Sequence, residues 1–310
     1  MRPSSESVDE VVLRAPTLAD VDDVVAVINR ASQALRGRDE IDTNGVEGWW
    51  AQPRPFDLEA DVVVAVRDGG IVGYGDLGDQ ANDGSVLWLD IRGEECRELH
   101  AELERRALAR RRPDGVVRAV ADERDESLRV TLEERGYRHI RSSYRMGIDV
   151  ADLEVTPEWP PGAFVRPAAE DVDEPLLHRL NEESFADHWG HTPTPYEEWL
   201  HGLRSMGVYD PSLWFVVDVD GEPAGVAICR PWAHGDPDCG WVSVLGVLRA
   251  YRRQGLGAAL LTHAIAEFQR RGRLRVELGV DAESTTGAVR LYERAGMRVV
   301  QRWDIWERTA

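Results

Sequence analysis

The chain has 310 residues, 43% hydrophobic and 30% charged, an ordinary globular composition at a length that fits one large domain or two mid-sized ones. Its formal charge of -19 argues against a nucleic-acid surface, which needs clustered basic groups, and suits cationic small molecules better. All 37 basic residues are arginine, so no lysine can serve as nucleophile, Schiff base or P-loop phosphate ligand.

The longest apolar runs, such as Val62 to Val66, are strand-sized and far from the roughly 18 residues of a spanning helix. Met1 to Glu10 lacks the basic and then apolar pattern of a secretory signal, so a cytoplasmic protein with no membrane partner is expected. Cys96, Cys229 and Cys239 lack paired C-x-x-C spacing and read as free thiols, with no metal site expected.

In chain order the elements repeat. Leu13-Arg14-Ala15-Pro16 matches Val165-Arg166-Pro167-Ala168 at an offset of 152, and Asp20-Val21-Asp22 matches Asp171-Val172-Asp173 at 151. The offset of 152 also relates Val66-Arg67-Asp68-Gly69 to Asp218-Val219-Asp220-Gly221. Each copy reads as a strand, a helix opened by an acidic cap, a second helical stretch, and a hairpin with Asp-Gly at its turn. Glu133-Glu134-Arg135-Gly136-Tyr137 matches Glu293-Arg294-Ala295-Gly296-Met297 at an offset of 160, which places about eight extra residues inside the second copy. Asp152 to Gly162, with Thr156-Pro157 and Pro160-Pro161-Gly162, reads as a stiff connector, so two mixed α/β domains are expected at 1–155 and 156–310.

In the second copy, Gly240 to Val247 is a β-branched stretch of strand length. The loop Arg249 to Gly257 follows, and then Ala258 to Phe268 with the apolar spacing of an amphipathic helix. Strand, glycine loop and helix make an anion-cradling layout, because glycine permits close backbone approach and the first helical N–H groups favour phosphate oxygens. Walker A spelling is excluded by the missing lysine, and the three-glycine Rossmann fingerprint is absent. Arg252-Arg253-Gln254-Gly255-Leu256-Gly257-Ala258 resembles the R-x-x-G-x-G/A loop of the GNAT N-acetyltransferase superfamily. Ala288-Val289-Arg290-Leu291-Tyr292-Glu293-Arg294-Ala295-Gly296-Met297 resembles that family's A-x-x-L-Y-x-x-x-G-F helix.

The resemblance implies two tandem GNAT-like domains, each a twisted, mixed and mostly antiparallel sheet flanked by helices. It also implies an acetyl-CoA site in the second. Leu245, Gly246 and Val247 would pair with the pantetheine arm, and Arg252, Arg253, Gln254, Gly255, Leu256, Gly257 and Ala258 would hold the pyrophosphate. Ser284 stands where the family has an asparagine that contacts the cofactor. Tyr292 would protonate the departing thiolate after direct attack by a free amine in a ternary complex. Glu277 is the candidate general base; a solvated or arginine-paired strand carboxylate is its other reading.

His188, Trp189 and Trp241 are candidate acceptor residues, with His191 in the same polar run and His234, Asp236 and Asp238 in the preceding hairpin loop. Trp49-Trp50 is a further aromatic pair, and such faces attract cations. The first copy departs from the pattern. Its loop Arg92-Gly93-Glu94-Glu95-Cys96-Arg97 puts acids where phosphate should sit, and Leu132 stands where Tyr292 does, so a cofactor-free first domain is expected. The function expected is N-acetyl transfer to a primary amine of a small molecule. A non-catalytic acyl-CoA-binding module and a protein or peptide N-acetyltransferase stay open as alternatives.

Overall fold

The computed structural model describes residues 11–51, 56–94, 96–205, 209–233 and 235–309. Met1–Glu10, Glu95 and His234 lie outside the described residues. The chain forms two compact units, Met1–Ile140 with Asp304–Ala310, and Arg141–Trp303.

The first unit contains β1 (Val12–Arg14), α1 (Val21–Arg36), α2 (Thr43–Trp50), α3 (Leu58–Asp61), β2 (Val62–Arg67), β3 (Gly70–Asp79), β4 (Val86–Gly93), α4 (Cys96–Arg110), β5 (Val116–Asp122), α5 (Glu126–Glu134) and the start of β6 (Arg138–Asp149). In α1, Val21, Val24, Val27 and Ile28 recur at helical spacing and are all buried. The helix ends at Gly37, whose φ of 69° is the left-handed geometry glycine adopts without strain. Asp68 (φ 53°) and Gly69 (φ 79°) form the β2–β3 turn, both left-handed as a two-residue primed turn requires. Strand order is β1-β2-β3-β4-β5, and the β4–β5 pair is parallel.

The second unit continues β6 and adds β7 (Ala163–Pro167), α6 (Glu174–Phe185), α7 (Tyr196–Ser205), β8 (Trp214–Val219), β9 (Glu222–Arg230), β10 (Cys239–Val247), α8 (Leu256–Arg270), β11 (Arg275–Asp281), α9 (Ala288–Arg294) and most of β12 (Arg298–Arg308). Its order is β6-β11-β10-β9-β8-β7, and β10–β11 is parallel. Asp220 (φ 52°) and Gly221 (φ 87°) repeat the turn of the first unit. The unit's core includes Leu177, Val216, Val226, Leu260, Ala264 and Phe268, all buried. Gly240 lets α8 close on β10, because a Cβ there would sit 2.3 Å from the Phe268 ring.

The division falls at Ile140/Arg141, ahead of the Asp152–Gly162 connector, because Ser143 to Asp149 of β6 pair with Asp281 to Arg275 of β11. At the other end of the chain, residues 304–310 group with the first unit. Trp306 sits in that unit's core, and Arg118 pairs with Glu307 at 3.0 Å. No helix among the described residues is long and apolar enough to cross a membrane.

One buried group in the first unit makes stability depend on pH. Asp76 on β3 is 6% exposed. Burial first, and then the charge of Asp90, hold its carboxyl well above the usual carboxylate range. A carboxyl whose folded pKa is raised loses protons less readily than in the unfolded chain, so its penalty appears above pH 3.8 and grows as pH rises. Asp76→Asn is expected to raise the protein's stability at pH 8, where the wild-type carboxyl is held in its disfavoured charged form. The gain should vanish towards pH 4 when denaturant midpoints are compared across the range.

Candidate active site in the second unit

The chemistry-bearing segments of the second unit meet where β10 and β11 part. Their parallel ladder runs from Cys239↔Arg275 to Val242↔Leu278, while β10 stays paired with β9 as far as Val247↔Gly225. A register shift between Val242 and Val244 marks the parting. Leu245, Gly246 and Val247 therefore have a strand on one edge only among the described residues, which leaves backbone groups available to an extended ligand. Gly246 lets α6 approach this edge, because a Cβ there would lie 2.8 Å from Ser184 Cβ.

The loop after β10 is a cradle without a cap. Arg253 (φ 64°) and Gly255 (φ 90°) are left-handed. Gly255, at the N-cap of α8, supplies no side chain, and the first helical bond is Ala259 N–H to the Gly255 carbonyl at 3.0 Å. The N–H groups of Leu256, Gly257 and Ala258 are thus the open donors of a helix start with no acid in its first turn. Gly257 packs under α9, since a Cβ there would lie 3.2 Å from Leu291 Cδ1. Gln254 only closes its own turn, donating to the Ala250 carbonyl at 3.3 Å.

Arg252 braces the cradle. Its guanidinium donates to the Val247 carbonyl at 3.1 Å, the Ser184 carbonyl at 2.8 Å and both oxygens of Asp187 at 2.7 and 3.0 Å. That pairing holds the Asp187 carboxyl down at about 2. The side chain ties β10, the end of α6 and the loop together, so the part Arg252 can offer a ligand is its backbone.

Tyr292 on α9 is 7% exposed, and its hydroxyl makes no hydrogen bond among the described residues. Burial pushes the phenol up to about 12, so it stays protonated through neutral pH. Ser284 lies in the β11–α9 turn, where its N–H reaches the Asp281 carbonyl at 3.1 Å and its hydroxyl meets Thr286 at 2.8 Å.

Glu277 is 2% exposed and paired with Arg145 of β6. It stands between Trp241 and Gly147 in register, and the Arg145 guanidinium lies 5.1 Å over the Trp241 ring. Arginine pairing, one of the two readings of Glu277, is therefore the arrangement found. His188 and Trp189 follow α6 beside the brace formed by Arg252 and Asp187. The His188 ring meets Phe185 at 4.5 Å, and burial lowers its pKa. Arg141 lies 4.9 Å over the Trp189 ring and makes a bidentate pair with Asp281, at 2.8 and 2.7 Å. The α6–α7 loop is thereby held against the end of β11, next to the cradle.

Other candidates lie apart. His191 meets Glu182 at 3.4 Å. Asp236 pairs with Arg275 at 2.6 Å, and the Asp238 carbonyl accepts the N–H of Leu274 at 2.8 Å, so both serve the turn. Burial pushes the Cys96 thiol up to about 11 and the Cys239 thiol up to about 12, which leaves neither a ready nucleophile. A cavity of about 440 Å³ lined by Gly147, Asp149, Thr156, Thr262 and Arg298 contains none of the candidate residues.

Sequence reasoning missed Arg141, Arg145, Ser184 and Ser243. Ser184 and Ser243 present buried hydroxyls without a partner beside the parted strands. Burial of a polar atom without a partner is a three-dimensional signal, and nothing in the local spelling carries it.

The first unit repeats the parted strands, with β4–β5 pairing ending at Leu89↔Ala119, but not the cradle. Gly93 (φ 87°) is closed in, with a Cβ position 2.6 Å from the Val72 carbonyl oxygen. Glu94 pairs with Arg67 at 2.8 Å, and Leu132 is packed in the core.

Residues 175–297 match the acetyltransferase (GNAT) family. A mycothiol acetyltransferase of Thermobispora bispora is 32% identical over 173 residues, 55% of this chain and 57% of that protein. The chain thus spans a little over half the length of that relative. A mycothiol acetyltransferase of Salinispora tropica is 29% identical over 94% of this chain and 92% of its own length. A crystal structure of a GCN5-related N-acetyltransferase from Sphaerobacter thermophilus superposes with a TM-score of 0.79 at 27% identity, covering 96% of this chain and 95% of its own.

Proposed function

From the membership of residues 175–297 in the acetyltransferase (GNAT) family, we propose that the second unit transfers acetyl from acetyl-CoA to a primary amine of a small molecule by direct attack. The observation that carries this reading is the junction of an uncapped α8 start with the one-sided edge Leu245–Val247. Open N–H donors at a left-handed turn suit a pyrophosphate, and a half-paired strand suits an extended amide-bearing arm. The cofactor supplies an acetyl thioester. Backbone N–H groups near Gly246 would polarise its carbonyl as the oxygen gains charge, and Tyr292 would hold the proton that the departing sulfur takes. Glu277, already paired, would position Trp241 through Arg145, and the free amine would enter beside His188 and Trp189, its surplus proton passing to water as the C–N bond forms and the C–S bond breaks.

The names of the two relatives support a small-molecule acceptor. The first unit, with Glu94 and Leu132 in the key places, would bind no acetyl-CoA. The test is thiol release from acetyl-CoA in the presence of a panel of small primary amines. Release that saturates with one amine class supports transfer, whereas acetyl-CoA binding without release for any amine supports a non-catalytic module.

A further inference from the structure

Arg230, the last residue of β9, carries a charge that nothing in the second unit answers. It is half-buried, yet among the described residues its guanidinium makes no hydrogen bond, ion pair or ring contact. Burial lowers its pKa, and no neighbouring carboxylate raises it. The other described arginines without a side-chain partner, Arg30, Arg138, Arg249, Arg253 and Arg290, are all exposed, where water serves them. The chain has 56 acidic residues for 37 arginines, so a half-buried arginine left unpaired is an exception. Two acids of the adjoining segments are taken, Asp236 by Arg275 at 2.6 Å and Glu277 by Arg145.

Register sets the place of Arg230. It stands opposite Trp241 of β10, which stands opposite Glu277 of β11, so the three share one face in a row across three strands. Residues directly opposite across an antiparallel ladder have Cβ atoms about 5 Å apart. On its other side β8 begins only at Trp214, opposite Ile228, so Arg230 has no partner there in register. The Trp241 ring leans toward the parting of β10 and β11, since a Cβ on Gly279, the first residue past the ladder, would lie 3.9 Å from Trp241 Cζ2. Ser243, at the register shift between this row and the edge Leu245–Val247, keeps a buried hydroxyl without a partner. The Arg230 nitrogens, by contrast, are not sealed from solvent, so a ligand can reach them.

We propose that Arg230 selects the acceptor: the amine that the second unit acetylates also carries an oxyanion, a carboxylate or a phosphate ester, that pairs with this guanidinium while Trp241 lies against the skeleton between the two ends. The inference rests on the reading of the second unit as an amine acetyltransferase and narrows its substrate class. A guanidinium meets either oxyanion with two parallel N–H donors, and the pair is stronger where water is partly excluded. A chain of charge -19 repels anions in general, so a cation that recognises one must be local and unclaimed by the protein's own acids. A neutral amine would cover Arg230 without answering its charge, which costs affinity.

The experiment is calorimetric titration of the full chain, with coenzyme A present, against two pairs of amines: 4-aminobutanoate with 4-aminobutanamide, and glucosamine 6-phosphate with glucosamine. The expected result is at least tenfold tighter binding of the anionic member in one pair, and which pair shows it separates carboxylate from phosphate. Arg230→Met should abolish the preference without lowering the melting temperature, because no ion pair is broken, and Arg230→Lys should keep part of it. Absence of a preference in both pairs, or a preference that survives Arg230→Met, would overturn the proposal. Thiol release from acetyl-CoA with the same amines tests the parent reading separately. Arg230-dependent binding without release would sink acetyl transfer and leave the anion site standing, whereas release indifferent to the anion would do the reverse.

Discussion

Tyr292→Phe is expected to lower the acetyl-transfer rate by about 10²–10³-fold, within the usual worth of a positioned proton donor, while acetyl-CoA affinity stays nearly unchanged. The substitution removes one atom. The ring is 7% exposed and belongs to the core that α9 shares with the sheet, and phenylalanine keeps that packing. Burial alone acts on the hydroxyl, with no hydrogen bond to it among the described residues, so its removal leaves no orphaned group behind. A group that acts only as sulfur departs should change kcat and spare ground-state binding. Equal losses in turnover and in binding would make Tyr292 a packing residue that shapes the cofactor site.

Glu277→Ala is expected to cost about 3–5 kcal/mol of stability, the usual penalty for leaving a buried charge unpaired. Arg145 is 4% exposed and sits against Trp241, so its guanidinium cannot reach water when the carboxylate is gone. The double variant Glu277→Leu/Arg145→Met should recover most of the loss, because a buried pair replaced together by apolar groups leaves no charge behind. Denaturant midpoints of the two variants check this. A Glu277→Ala protein of unchanged stability but without turnover would return Glu277 to the role of general base.

Much of the scaffold is written locally. The Asp-Gly turns at 68–69 and 220–221 and the apolar spacing of α1 and α8 each depend on residues within a turn or two of one another, and the structure has them as read, whereas Asp20 and Asp173 at the N-caps of α1 and α6 make no side-chain cap bond. The loop and helix that resemble the GNAT pattern are likewise local, from Arg252 to Ala258 and from Ala288 to Met297. What could not be read is what register decides. Glu277 meets Arg145, and Asp281 meets Arg141, across 132 and 140 residues of chain, because the second half of β6 pairs with β11. No local pattern announces that pairing. Burial does not alternate on β11, since Val276, Glu277 and Leu278 are all buried on a strand with neighbours on both edges. Arg252 shows the same limit, because its spelling marks the loop while its guanidinium belongs to Asp187.

The central claim, one acetyl-CoA site per chain at the start of α8, is tested most directly by calorimetric titration of acetyl-CoA into the wild-type chain and into Ala258→Glu. Ala258 is exposed in the first turn, where a glutamate suits the helix dipole and should leave folding intact while its charge occupies the place of the phosphates. The account predicts one site per chain in the wild type and none in Ala258→Glu. Two sites, or binding that survives the substitution, would contradict it.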